Sequence, residues 1–270
     1  MTRKDAVCST NMPEKPNSRS RASRKTLAAL LVSFLLLVDE ALAEEPSQEW
    51  DFYGEAYFWA ATLEAETTDG EDVDVSFSDI LEHLNYGAMG AVGAEKGRWI
   101  IAADGIYLNL ESDESSQQSI GGTLTRLDAD VDIQGFISTA AVGYDLLDSD
   151  NTTLHLLGGG RYLWLDFDLD VEAGSGGVDF SDSNSWVDGI VGLRGRTQVA
   201  DGWHLVYHGD IGTGESDLTW QLLGAVNYRF RNVDLVLGYR YLGWNFDAGE
   251  NDVLDELSIH GPMAGVKFSF

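Results

Sequence analysis

The chain has 270 residues, with 17 Lys+Arg against 45 Asp+Glu and a formal net charge of −28. That acidity repels nucleic acid, while 11% aromatic content and 30 glycines separate it from acidic disordered chains, which are poor in aromatics. Its one cysteine, Cys8, precedes everything that reads as folded, so no disulfide framework or thiolate metal site is available to the rest.

The first element, residues 1–43, reads as an export signal. Arg19, Arg21, Arg24 and Lys25 form a positive segment, "LAALLVSFLLLV" (27–38) an apolar core, and Ala41-Leu42-Ala43 a small-residue cleavage site. The apolar run is shorter than the roughly 20 residues a spanning helix needs. Residues 1–43 hold seven of the 17 Lys+Arg and four of the 45 Asp+Glu, which leaves residues 44–270 at −31. The expected division is a signal peptide over 1–43 and a single barrel domain over 44–270.

Beyond the signal, no segment recurs at helical spacing. Ten strand-sized runs follow, near 50–64, 85–96, 98–111, 123–145, 153–170, 185–200, 203–212, 217–230, 233–246 and 257–270. Short connections ("EKGR" 95–98, "LDSDN" 147–151, "ADG" 200–202, "FRN" 230–232) alternate with longer or more acidic ones at 65–84, 112–122, 171–184, 213–216 and 247–256. An even strand number with this asymmetry is the pattern of bacterial outer-membrane barrels, with short periplasmic turns and long external loops. The expected fold is therefore all-β, a closed antiparallel transmembrane barrel of ten strands, with eight possible if 65–84 or the short seventh run behaves differently.

Within the first long connection, "SFSDILEHL" (76–84) reads as a short helix, with Ser76 or Ser78 as cap and Asp79 and Glu82 near its positive end. Its apolar residues Phe77, Ile80, Leu81 and Leu84 are expected to fold over the barrel mouth as a lid. Further on, period-2 alternation assigns faces. In "LTWQLLGAVNYRF" the set Leu218, Trp220, Leu222, Val226, Tyr228 and Phe230 opposes Thr219, Gln221, Asn227 and Arg229, and comparable sets appear in 187–199, 203–211 and 235–242. The first run leaves its face open, because Glu55 shares parity with Tyr57 and Trp59, and "DADVDIQGF" admits a bulge. Aromatics gather at both strand ends as two interfacial girdles: Trp99, Trp203, Tyr144, Tyr228 and Phe230 by the short turns, Tyr107, Trp164, Trp220 and Tyr241 by the long loops. The terminal "GPMAGVKFSF" alternates down to Phe270, in the manner of the signal read by the outer-membrane assembly machinery.

The segments "FWAATLEAE", "VDVSFSDILEHLNYGAMGAVGAEKGRWIIAADGIYLNL", "WVDGIVGLRGR", "SDLTWQLLGAVNYRF", "LVLGYRYL" and "HGPMAGVKFSF" together resemble a widespread family of uncharacterised proteobacterial outer-membrane β-barrel proteins. The resemblance covers nearly all of 44–270. It implies fold and location in the outer membrane and supplies no activity.

On the polar parity the lumen is expected to hold Arg161, Arg194, Arg196, Arg229, Arg240 and Lys267 with Asp104, Asp188 and Asp210. Charges in a ten-stranded interior must pair or stay hydrated. The main reading is a structural or envelope-integrity barrel with a charged, largely filled lumen; the runner-up is a narrow porin-like diffusion channel lined by the arginines. A hydrolase is a minor alternative. His208 and Asp210 lie about 7 Å apart along one strand face, but no serine is placed to join them, and the pattern of omptin-type proteases or lipid A deacylases is missing. No enzyme, cofactor or metal is expected. His155 and His260 read as hydrogen bonders rather than ligands, and the acidic loops match no defined calcium loop. Expected partners are outer-membrane lipid and lipopolysaccharide, around a monomer.

Overall fold

The computed structural model describes residues 49–68, 72–120, 123–173, 176–246 and 254–270. The signal-peptide boundary and most of connection 247–256 lie outside the described residues. Twelve strands form one antiparallel sheet: β1 (Asp51–Trp59), β2 (Thr62–Thr67), β3 (Asp72–Val75), β4 (Leu84–Lys96), β5 (Trp99–Ile120), β6 (Thr123–Ser149), β7 (Thr152–Ala173), β8 (Gly176–Ala200), β9 (Trp203–Gly214), β10 (Leu218–Phe230), β11 (Val233–Asn245) and β12 (Leu254–Ser269). β1 pairs with β4 (Asp51↔Glu95 to Ala56↔Gly90) and also with β12 (Tyr53↔Ser269 to Trp59↔Met263), which closes a ten-stranded barrel from β1 and β4–β12. Strands β2 and β3 are extra. β2 continues the line of β1 along β12, from His260↔Thr62 to Leu254↔Thr67, and β3 hairpins back onto it.

The alternation fixes which side chains face out. Leu222, Leu235 and Leu237 are 58%, 53% and 66% exposed, and Val226, Tyr239 and Phe268 point the same way, while Thr219, Asp234, Arg240 and Leu242 on the opposite parity are buried. The exterior is thus apolar across the strand middles, and aromatic pairs flank it at both ends. Trp99–Tyr144 and Trp203–Tyr228 sit by the short turns, each with centroids 4.9 Å apart, and Tyr86–Tyr107 (5.4 Å) and Trp220–Tyr241 (4.7 Å) sit toward the loops. β1 resolves its open face inward: Tyr53, Tyr57 and Trp59 are buried.

Three local expectations change. Connections 112–122 and 171–184 are mostly strand, since β5–β8 run 22 to 27 residues, at least twice the roughly 9–11 a tilted transmembrane strand requires. Their polar upper parts keep the ladder (Glu111↔Asp132↔Asp168) but have lost the one-sided apolar pattern, because no hydrocarbon lies on either side there. The irregularity in β6 falls between Asp145 and Leu147, beside the short turn, and not in "DADVDIQGF". Connection 213–216 belongs with the tight turns, β9 and β10 being separated by three residues.

Room inside comes from glycine at particular contacts. A Cβ on inward-facing Gly192 would meet Gly209 O at 2.5 Å and Asp210 Cβ at 2.6 Å, whereas one on outward-facing Gly224 would meet nothing within 4 Å. Gly192→Ala is therefore expected to cost about 1–3 kcal/mol by overpacking. Gly224→Ala should stay within about 0.5 kcal/mol of the parent. Urea unfolding of the vesicle-inserted protein, followed by tryptophan fluorescence, reads both.

Candidate functional site

The lumen is built in three storeys, set by distance along the strands from the short turns. Nearest the loops, Trp59, Ile106, Leu163, Leu242, Trp244, Phe246 and Leu257 form one buried apolar cluster. Leu163, Leu242 and Trp244 are wholly inaccessible. A stack of apolar side chains that water cannot enter is a plug. Five strands contribute to it, β1, β5, β7, β11 and β12, and all these residues lie on the inward parity.

Below the plug, two ion-paired groups span the middle. Arg161 donates from Nη2 to both oxygens of Asp210 (2.8 and 2.9 Å) and from Nη1 to Thr219 Oγ1 (2.8 Å), and His208 Nε2 meets Asp210 Oδ2 at 2.6 Å. Arg240 donates to Asp104 Oδ1 (2.9 Å), to the Tyr57 hydroxyl (3.0 Å) and twice to Gln221 Oε1, while Tyr57 donates to Asp104 Oδ2 at 2.6 Å. These charges can remain buried because nearly every donor finds an acceptor. Both guanidiniums also carry the plug, Arg161 against Trp244 (5.9 Å to the ring centroid) and Arg240 against Trp59 (5.2 Å).

From the middle storey toward the short turns the lumen opens into a cavity of about 310 Å³, lined from Tyr57, Asp104 and Arg240 down to Arg194, Arg196 and Lys267. Asp234 accepts from Arg229 (2.7 and 3.1 Å) and Arg196 (3.2 Å), and His155 pairs with Asp145 at 2.8 Å. Lys267 lies 3.8 Å from the Tyr53 ring centroid and Arg194 5.8 Å. Inward-facing Glu95 and Arg229 are exposed, so this end communicates with solvent.

All six cations expected in the lumen face it, with Asp104 and Asp210. Asp188 is used differently: midway along β8 and opposite the end of β9, its Oδ1 accepts from the Ser216 backbone N–H and ties down the β9–β10 turn. Sequence reasoning missed Asp234, Tyr57 and Gln221. Asp234 shares parity with Arg240 in "VDLVLGYRYL", so its place was readable from the same alternation. The four lid residues are not gathered over the mouth. Helix α1 (Phe77–Glu82) forms with Ser76 as cap in a capping box with Asp79, but Phe77 packs edge-on against outward-facing Phe58 (5.7 Å), Ile80 is buried, Leu81 is 52% exposed, and none of the four belongs to the plug. Closing the lumen falls to strand residues instead. His208 and Asp210 sit together as expected, yet Arg161 occupies both carboxylate oxygens, and His260 lies between Tyr239, Tyr241 and Glu64 outside the lumen.

The chain thus has the fold of a ten-stranded barrel of the outer-membrane type. Among solved structures it is similar to the translocator domain of the autotransporter NalP from Neisseria meningitidis (14% identity over 92% of this chain and 98% of that one, TM-score 0.45). It is also similar to Ail, the attachment invasion locus protein of Yersinia pestis (10%, 83% and 100%, 0.36), and to neisserial surface protein A (16%, 84% and 100%, 0.30). No protein-family model and no curated protein sequence matches the chain.

Removing one partner of the Arg161–Asp210 pair leaves a buried charge alone. Arg161→Met is expected to cost about 3–5 kcal/mol, and the double variant Arg161→Met/Asp210→Asn to recover a substantial part of that. Denaturant midpoints for the full cycle check it.

Proposed function

We propose that this protein is a non-conducting structural barrel of the outer membrane, exported by residues 1–43 and inserted as a monomer, with its short turns toward the periplasm and its long acidic hairpins outside. The observation that carries the reading is the apolar plug: Leu163, Leu242 and Trp244 are wholly inaccessible within one buried apolar cluster in the loop half of the lumen. Solute passage needs a continuous wetted path, and a stack of this kind offers none. The exposed leucines and valines of the strand middles, flanked by aromatic pairs, support immersion in hydrocarbon. Partners in this reading are lipid and lipopolysaccharide, with the assembly machinery engaged through the strand ending at Phe270. A narrow pore lined by the arginines is disfavoured because Arg161, Arg196, Arg229 and Arg240 are held by carboxylates. Catalysis at His208 and Asp210 is disfavoured because their shared carboxylate is already saturated by Arg161.

Planar-bilayer recording of the purified protein is expected to show no steady current. Deleting residues 73–84 should leave it closed, since α1 adds nothing to the plug, whereas the triple variant Leu163→Ala/Leu242→Ala/Trp244→Ala should conduct. Steady open-channel current in the intact protein overturns the proposal.

A further inference from the structure

The plug and the ion pairs account for the upper and middle lumen and leave the cavity at the short-turn end unexplained. Two cations there lack what every other lumenal cation has. Among the described residues no carboxylate oxygen lies within 4 Å of Arg194 or Lys267. Asp234, a register partner of Lys267, is already taken by Arg196 and Arg229, and Glu55, its partner on β1, and Glu95 face the same space without closing to contact. Two cations side by side whose nearest carboxylates are held apart from them keep their donors open to an anion from outside the chain.

The rest of the cavity suits such a guest. Its volume of about 310 Å³ lies at the small end of the roughly 300–1,000 Å³ of ligand pockets. One of its polar side chains, Tyr53, is more than nine-tenths buried with a hydroxyl that has no hydrogen-bond partner and can donate to an anion. Tyr53 is held in place from behind. It stands opposite Gly93 in register, where a Cβ would come within 2.4 Å of the ring, so glycine is what lets the ring lie flat against the wall. Ile100 and Leu157 pack on that ring and form an apolar wall beside the two cations. The chemistry is that of a pocket with one anion-binding side and one greasy side.

We propose that this cavity is a binding site, open to the short-turn side, for a small amphiphilic anion: a carboxylate or phosphate monoester on a compact apolar body. The anion meets Arg194 and Lys267, the Tyr53 hydroxyl donates to it, and the apolar body lies against Ile100 and Leu157. The site does not conduct, because the plug closes the lumen above it; it is a cup rather than a channel. In that respect it rests on the closed-barrel reading, but its test reads binding and not current, so the two fail separately.

The test is titration calorimetry on the full barrel in lipid nanodiscs, with benzoate and phenyl phosphate as probes, and benzyl alcohol and inorganic phosphate as the uncharged and bodiless comparisons. One-to-one saturable binding is expected for at least one of the two anions, with both comparisons at least tenfold weaker. Arg194→Gln/Lys267→Gln should weaken the bound anion tenfold or more. Ala102→Leu, which fills the cavity without touching a charge, should do the same with the barrel still resistant to cold detergent on a gel. No saturable binding, equal binding of benzyl alcohol or inorganic phosphate, or binding unchanged in either variant overturns the proposal. A preference for benzoate over phenyl phosphate, or the reverse, assigns the headgroup.

Discussion

Closure of β1 onto β12 is the constraint from which the rest follows. Once Tyr53–Trp59 ladders to Met263–Ser269, none of the ten strands has an edge, every second side chain is committed to one shared interior, and the backbone can face hydrocarbon without an orphaned peptide group. The number of strands then sets how much interior there is. Ten give a space too wide for aliphatic side chains alone and too narrow for free water throughout. This chain fills it with tryptophans at one end, long guanidiniums braced between carboxylates in the middle, and a cavity at the other end.

The arginines do work that shorter residues cannot. Arg240 on β11 reaches Asp104 on β5 and Tyr57 on β1, strands brought together only by the closed ring. Arg161 on β7 reaches Asp210 on β9 and Thr219 on β10. Each guanidinium is thus a cross-brace over two or more strands, and its planar fork matches carboxylate geometry in a way a lysine ammonium does not. The plug rests on these braces through Trp244 and Trp59, so the apolar and the charged storeys stabilise each other.

The barrel itself was legible in the sequence because lipid contact writes a period-2 signal into each crossing strand: Leu218 to Phe230 reads out and in without a break. Where no lipid touches, the signal vanishes, and 112–122 and 171–184 read as loop although the backbones of 112–120, 171–173 and 176–184 remain paired. The face of β1 was unreadable for a different reason. Glu55 beside Tyr57 and Trp59 looks contradictory only if a lumen must be uniformly polar; this one changes character along its axis. Which charges face inward was readable from parity, but which charge meets which was not. Asp104 and Arg240 are 136 residues apart on strands that are not neighbours, and Asp188, of the right parity, was claimed by a turn instead. The four apolar residues of 77–84 announced burial without an address; Leu84 opens β4, and the helix that holds the other three packs partly on the outer wall through Phe58.

Charge is sorted along the barrel axis as well as across the wall. Among the described residues the lumen holds Arg161, Arg194, Arg196, Arg229, Arg240 and Lys267; Lys96, Arg98 and Arg231 sit at the short turns, Arg98 over the Tyr144 ring and Arg231 over Phe230, and Arg126 alone lies in the long-loop part of β6. The hairpins at the other end carry Glu111, Asp132, Asp166, Asp168 and Asp182. A chain with 45 acidic residues and 17 basic ones therefore presents a negative field at its long-loop end and places all its described positive charge but Arg126 inside and below. An anion approaching from the loop side is repelled and then meets an apolar stop; at the short-turn side the charges are mixed, with Glu95, Asp145 and Asp234 among Arg196, Arg229, Arg194 and Lys267. The same strong acidity that excludes nucleic acid is thus weighted toward the long-loop end of the barrel.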